Sequence, residues 1–238
     1  ASPTARRGMW QAFVAGLITG VGNIACFAAL AAGGPAAAVV PVTALYPVVT
    51  IALAIVFLGE RFNRIQALGL ALSLVAILLL NVPPEGSLLS PWLATALVPI
   101  GLWGVSALVQ KLATRHIDAT GATFAFLAGF LPIAILTLVL QPASLMLPGP
   151  TWLLLAGLGL CFAVGNLTLL HAYASGGPAS IVTPLASLYA IVTIPLAIVA
   201  FHERVGVRET AGIALALAAI AALTRDTPPP DQTPTHPP

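Results

Sequence analysis

Charge is what this chain has least of. Asp, Glu, Lys and Arg make up 7% of its 238 residues, against 59% hydrophobic residues, and the mean hydropathy is +1.02. Soluble domains carry about 25% charge, so nine basic and seven acidic residues cannot cover a water-exposed surface. A net charge of +2 gives no ground for a nucleic-acid partner. Cysteine is nearly absent too: Cys26 and Cys161 lie inside apolar runs without metal-ligand spacing, which excludes a disulfide framework and reads as small buried hydrophobes. No nucleophile elbow, zinc spacing or phosphate loop appears. Enzymatic chemistry, a bound cofactor and ATP-driven pumping by this chain alone are therefore not expected, and no signal peptide with a cleavage site is evident.

Long apolar runs are what the chain does have. Eight stretches meet the requirement of about twenty mainly apolar residues for crossing roughly 30 Å of hydrocarbon as helix. They fall at approximately 10–31, 37–58, 65–82, 91–111, 121–140, 151–174, 180–201 and 207–224. Short connectors rich in Gly, Pro and charge separate them, such as Gly33-Gly34-Pro35, Pro83-Pro84-Glu85-Gly86 and Gly176-Gly177-Pro178. The expected class is an all-α polytopic membrane protein with eight transmembrane helices in contact with the lipid bilayer. Residues 225–238 form a Pro-rich polar tail expected to be disordered.

The chain repeats itself. Gly33-Gly34-Pro35-Ala36 through Glu60-Arg61 returns, ungapped and shifted by 143 residues, as Gly176-Gly177-Pro178-Ala179 through Glu203-Arg204, with 17 of 29 positions identical. That is a duplicated unit. Basic residues are retained in cytoplasmic loops. Arg6, Arg7, Arg61, Arg64, Lys111, Arg115 and Arg225 fall on one side of the eight-span layout, and only Arg204 and Arg208 on the other. Both termini are thus expected in the cytoplasm, with the two Glu-Arg loops on opposite faces, so the repeats are inverted. Inverted repeats need an odd number of helices, and the shift spans five. Residues 1–82 are then a first repeat of three helices and 91–224 a second repeat of five. Relative to a ten-helix parent, two helices, roughly 50 residues, would belong before Ala1. Without them an eight-helix chain would be expected to form a homodimer, recruit a partner or do something other than ordinary transport.

The repeat singles out candidate residues. Asn23 and Asn166 correspond under the shift, each deep in its segment beside Gly22 or Gly165. An amide in hydrocarbon needs a partner, so the pair either contacts a substrate from two walls of a cavity or ties helices together. Tyr46 and Tyr189 form a second pair, able to line a pocket or to pack with a hydrogen bond to a neighbour. Pro41 and Pro184 correspond as well and read either as hinges or as ordinary helix-start prolines. Trp103, after Pro99-Ile100-Gly101, falls deep in its segment, where the Pro and Gly suggest a distorted helix. Trp10, Trp92 and Trp152 fall at segment ends, as interfacial anchors do. His171 replaces Ala28 of the first copy and is the one ionisable group placed within a predicted span. It is a candidate for proton coupling or for binding a substrate carboxylate, or else a hydrated interfacial residue. Glu60-Arg61 and Glu203-Arg204 read as caps and ion pairs at helix ends.

The run Ala172-Tyr173-Ala174-Ser175-Gly176-Gly177-Pro178-Ala179 to Leu188-Tyr189, closing with Glu203-Arg204, resembles EamA-type members of the drug/metabolite transporter superfamily. So does Ala36 to Leu58, followed by Gly59-Glu60-Arg61 and Gly69-Leu70-Ala71-Leu72. The resemblance covers about residues 10–224 and implies ten helices in two inverted halves, of which this chain would be the third to tenth. It also implies a plasma-membrane carrier, usually an exporter of metabolites, amino acids or drugs. The expected function is a secondary transporter of a small-molecule substrate by alternating access, its binding residues being Asn23, Tyr46, Trp103, Asn166, His171 and Tyr189. The alternatives are a flippase subunit for a lipid-linked sugar and a non-transporting membrane scaffold or partner subunit.

Overall fold

The computed structural model describes residues 2–32, 39, 43–60, 63–81, 91–140, 148–189 and 207–223. Among them every regular element is helical. Helix α1 spans Pro3–Ala31, opened by Ser2, whose Oγ accepts from the Ala5 N–H at 3.2 Å. At about 1.5 Å per residue its 29 residues are longer than the hydrocarbon is thick, so the turns carrying Arg6 and Arg7 have room to project beyond it. Helix α2 (Tyr46–Leu53) runs into a π-turn (Ala54–Leu58) that ends on left-handed Gly59, φ +66°. Then come α3 (Arg64–Asn81), α4 (Pro91–Ala113), α5 (Ala119–Ala128), α6 (Phe130–Leu140), α7 (Gly149–Ala174), α8 (Ala179–Ala186) and α9 (Val207–Leu223). A 3-10 turn, Ser187–Tyr189, follows α8.

Among the described residues four stretches are long and apolar enough to cross a membrane: Pro3–Ala31, Ala94–Ala113, Ala119–Leu140 and Gly149–Ala174. The other four expected segments appear as shorter apolar helices, with parts of each outside the described residues. Where the structure departs from the simple eight-rod reading, the backbone explains it. The 121–140 segment is bent at Gly129, because Pro132 has no N–H for the Ala128 carbonyl and its ring crowds that turn. The 37–58 segment is interrupted at Ala44-Leu45, and helix resumes at Tyr46 with Pro47 in its first turn, where a missing N–H costs nothing. Helix α4, in contrast, continues through Pro99 as one element.

Lipid tails are as apolar as leucine, so helices here associate by close packing of small residues. Ala12 and Ala15 of α1 and Ala122, Ala125 and Phe126 of α5 form one buried cluster. The helices touch backbone to backbone: a Cβ at Gly16 would strike the Phe126 carbonyl, and one at Gly129 would strike that of Phe13. Phe126, Phe130 and Phe162 then stack edge and face, with centroids 5.3–6.4 Å apart, joining α5 and α6 to α7. The rest of α7 is open, with only Asn166, Leu170 and Tyr173 buried.

A second cluster joins the two helix breaks. Ala44 packs with Leu188, Ala76 of α3 and Ala219 of α9, flanked by Leu45, Leu72, Leu185 and Leu215. The backbone at Leu45 (φ −79°, ψ 0°) and at Leu188 (φ −82°, ψ 19°) leaves the helix in nearly the same way, and the two residues correspond under the sequence shift. Ile65 and Leu68, at the start of α3, share a groove with Ala221 and Ala222, at the end of α9, so the two helices run antiparallel.

Gly16→Val and Gly129→Val should each push α1 off α5, an overpacking cost of about 1–3 kcal/mol, and lower the unfolding temperature in detergent. Gly157→Val, with open space around it, should leave that temperature unchanged.

Candidate functional site

A cavity of about 320 Å³ lies between α1, α2, α4, α5, α7 and α8. Asn23, Tyr46, Trp103 and Asn166 all line it, together with Thr19, Gln110, Tyr173 and Thr183. A neighbouring chamber of about 410 Å³ shares Asn23, Tyr46 and Trp103 and extends past Cys26, Leu30 and Thr43. Four of the six residues singled out in the sequence as substrate-binding thus stand on one cavity wall. A larger groove of about 740 Å³ runs outside the bundle past Trp10 and Phe13 and includes none of them.

Glycines set the position of the central aromatic pair. A Cβ at Gly22 would fall 2.5 Å from Trp103 Nε1, and one at Gly104 would fall 2.5 Å from Val49, so α1 and α2 approach α4 only because both positions lack side chains. Trp103 Nε1 donates to the Thr19 carbonyl at 3.4 Å, and its ring meets Tyr46 edge-on at 6.0 Å. Below them Ser106 Oγ donates to the Ala15 carbonyl at 2.8 Å, and Thr19 Oγ1 lies 2.6 Å from Ser106 Oγ.

The remaining sequence candidates fall elsewhere. His171 is exposed on α7 and does not line the cavity. Its helix carries it away from the wall that Asn166, Leu170 and Tyr173 form. Pro184 is fully buried within α8. Pro41 lies outside the described residues, as does the side chain of Tyr189, whose backbone closes the 3-10 turn.

At one end of the cavity Tyr173 Oη and Thr183 Oγ1 satisfy each other at 2.7 Å. Beyond this pair is an arrangement that sequence reasoning missed. The α7–α8 turn uses left-handed Gly176 (φ +95°), and Gly177 has no room for a Cβ beside the Ala172 carbonyl and Val182. Pro178, at the N-cap of α8, has no side-chain acceptor to offer, so the first N–H groups of α8 are orphaned. Glu60 accepts both: the Ala179 and Ser180 N–H groups donate to its carboxylate at 2.9 Å each, and Ser180 Oγ–H donates to it as well. Lys111, buried at the end of α4, donates to the carbonyls of Tyr173 (2.9 Å) and Gly177 (2.7 Å). An anion at a helix N-terminus and a cation at a helix C-terminus are each favoured by the helix dipole. Glu60 therefore caps a helix 120 residues away rather than an end of its own. The signal in the sequence was the Gly-Gly-Pro-Ala-Ser run itself, a helix start with no acceptor at the cap position. Gln110 was equally missed, one polar residue in a segment read for its Trp and Pro.

Taken together, the long apolar helices point to a multi-pass membrane protein, with a cavity between its helices that a few polar side chains line. The chain matches the EamA-like transporter family over residues 2–82 and 90–225 and belongs to it; this is the drug/metabolite transporter superfamily. No curated protein matches the chain. A protein crystal structure is similar at 17% identity with a TM-score of 0.69, covering 94% of this chain and 88% of that one; at such identity the likeness is one of fold.

Glu60→Ala should remove the cap of α8, costing about 0.5–2 kcal/mol. Hydrogen exchange at the Ala179 and Ser180 amides should accelerate while exchange in α1 stays unchanged.

Proposed function

We propose that this protein is a secondary carrier that exports a small metabolite, amino acid or drug-like solute across the plasma membrane by alternating access. The observation that carries the reading is the cavity itself. Thr19, Asn23 and Tyr46 come from one copy of the duplicated sequence, and Gln110, Asn166 and Thr183 from the other, so a solute there touches both halves. Transporters place substrate between repeats, beside discontinuous helices, and helix α2 starts at the cavity wall. Converging polar side chains favour a carrier over a scaffold.

The layout we propose is an inverted repeat, 1–82 with 91–224, followed by the 225–238 tail, with both termini in the cytoplasm. Three observations support it. Leu45 and Leu188 break their helices in the same conformation. The corresponding helices α3 and α9 run antiparallel. The basic residues divide seven to two between the two faces of the layout. Gly16 and Gly22 of α1 press on α5 and α4, whereas their sequence counterparts on α7, Gly159 and Gly165, meet nothing within 4 Å among the described residues.

In this topology the Glu60–Lys111 clamp faces the cytoplasm. It holds the α7–α8 turn over the end of the cavity, closing that side, and opening inward means breaking it.

Asn166→Ala in proteoliposomes should lower the rate of solute export several-fold with normal membrane insertion. Unchanged kinetics would remove Asn166 from the site. Cysteines placed singly at His116 and at Thr233 should both react with an impermeant maleimide only from the cytoplasmic side, and labelling of either one from outside would overturn the topology.

A further inference from the structure

Two amide groups on the cavity wall have an atom with nothing to bond to. Gln110 is 5% exposed and Asn166 is 8% exposed. Gln110 Oε1 and Asn166 Nδ2 are shut off from solvent without a hydrogen-bond partner. The Gln110 orientation follows from its neighbours. Ser106 Oγ donates to the Ala15 carbonyl at 2.8 Å and accepts from Gln110 Nε2–H at 3.4 Å. The Gln110 carbonyl oxygen is left over as an acceptor. Native interiors rarely tolerate such an orphan, whose desolvation is not offset, and here two of opposite type line one cavity from α4 and α7.

The rest of the lining narrows what could satisfy them. Trp103, Tyr46, Phe126 and Phe162 contribute ring surface, and among the described residues that line the cavity none is Asp, Glu, Lys, Arg or His. An ion brought into such a place loses its hydration with no opposite charge to meet it.

Resting on the carrier reading above, we propose that Gln110 and Asn166 are the specificity-determining residues, selecting an uncharged solute with a flat apolar body. The solute donates one hydrogen bond to Gln110 Oε1 and accepts one from Asn166 Nδ2. Rotation about the terminal torsions, which are broad for amides, brings both atoms to the solute. A carboxylate has no donor for Gln110, an ammonium has no acceptor for Asn166, and each carries a charge that the cavity leaves unpaired.

The test uses the full chain in lipid nanodiscs, with empty nanodiscs as control, and three probes of one skeleton: phenylacetamide, phenylacetate and phenethylamine. Calorimetric titration should show phenylacetamide binding at least about tenfold more tightly than either ion, one hydrogen bond being worth about that factor. Gln110→Met should shrink the preference over phenylacetate, and Asn166→Leu the preference over phenethylamine, each by several-fold, the part due to unpaired charge remaining. Because they lie on different helices, a misfolded variant on size exclusion leaves the other to decide. Equal binding of all three probes, binding of an ion in preference, or an unchanged amide preference in a folded variant overturns the assignment. No binding by any probe overturns it together with the solute site. Amide-selective binding without phenylacetamide flux in proteoliposomes sustains the assignment and removes the carrier reading instead.

Discussion

A helix end closed off by packing leaves backbone N–H and C=O groups that only the protein itself can satisfy, and this bundle is organised around that constraint. The α7–α8 turn is the clearest case. A tight turn needs Gly176 and Gly177, and Pro178 then starts α8 without a side-chain cap. The open donors are met from across the bundle by Glu60, and the open carbonyls by Lys111. Two of the chain's few charges are therefore engaged by backbone groups. Since Tyr173 and Thr183 flank this turn and line the cavity, the same contacts fix where the cavity ends.

Glycine does for the lateral packing what these charges do for the ends. Without a hydrophobic effect to drive helices together in lipid, attraction depends on how closely backbones approach. Gly16, Gly22, Gly104 and Gly129 let α1, α2, α4 and α5 close to contact distances that any side chain would forbid. That closeness places Trp103 against Thr19 and Tyr46, so a residue type with no chemistry of its own positions the aromatic centre of the site. Helix α7 shows the converse. It carries glycines in equivalent places with no described residue against them, and it stays exposed along most of its length.

The cavity that results is mostly apolar, and the polar groups that line it among the described residues are uncharged. Amides, hydroxyls and rings face it, while the charged groups Glu60 and Lys111 stand at one end holding the turn. In the proposed carrier this separates two tasks. Neutral side chains recognise the solute at modest desolvation cost, and charged contacts with backbone, stronger than neutral ones, hold one side shut. The breaks at Leu45 and Leu188 meet in one apolar cluster, where a change in either would be felt by α3 and α9.

The membrane class, the duplication and most helix positions followed from sequence alone, because hydropathy, turn residues and repeated positions are local or periodic properties of a chain; that Asn23, Tyr46, Trp103 and Asn166 line one cavity is what the fold adds. The bend before Pro132 was locally written as well, though an apolar run conceals it. His171 misled as a cavity residue because its ionisable ring marked it out, while its direction around α7 is set by what that helix packs against. Glu60 looked like an end cap and is one, but for a helix that only the fold brings within reach. The roles of Gln110, Lys111 and the glycines were likewise decided by tertiary structure. Each depends on the atom a side chain meets across a helix interface, and that distance is a property of the packed bundle rather than of neighbours along the chain.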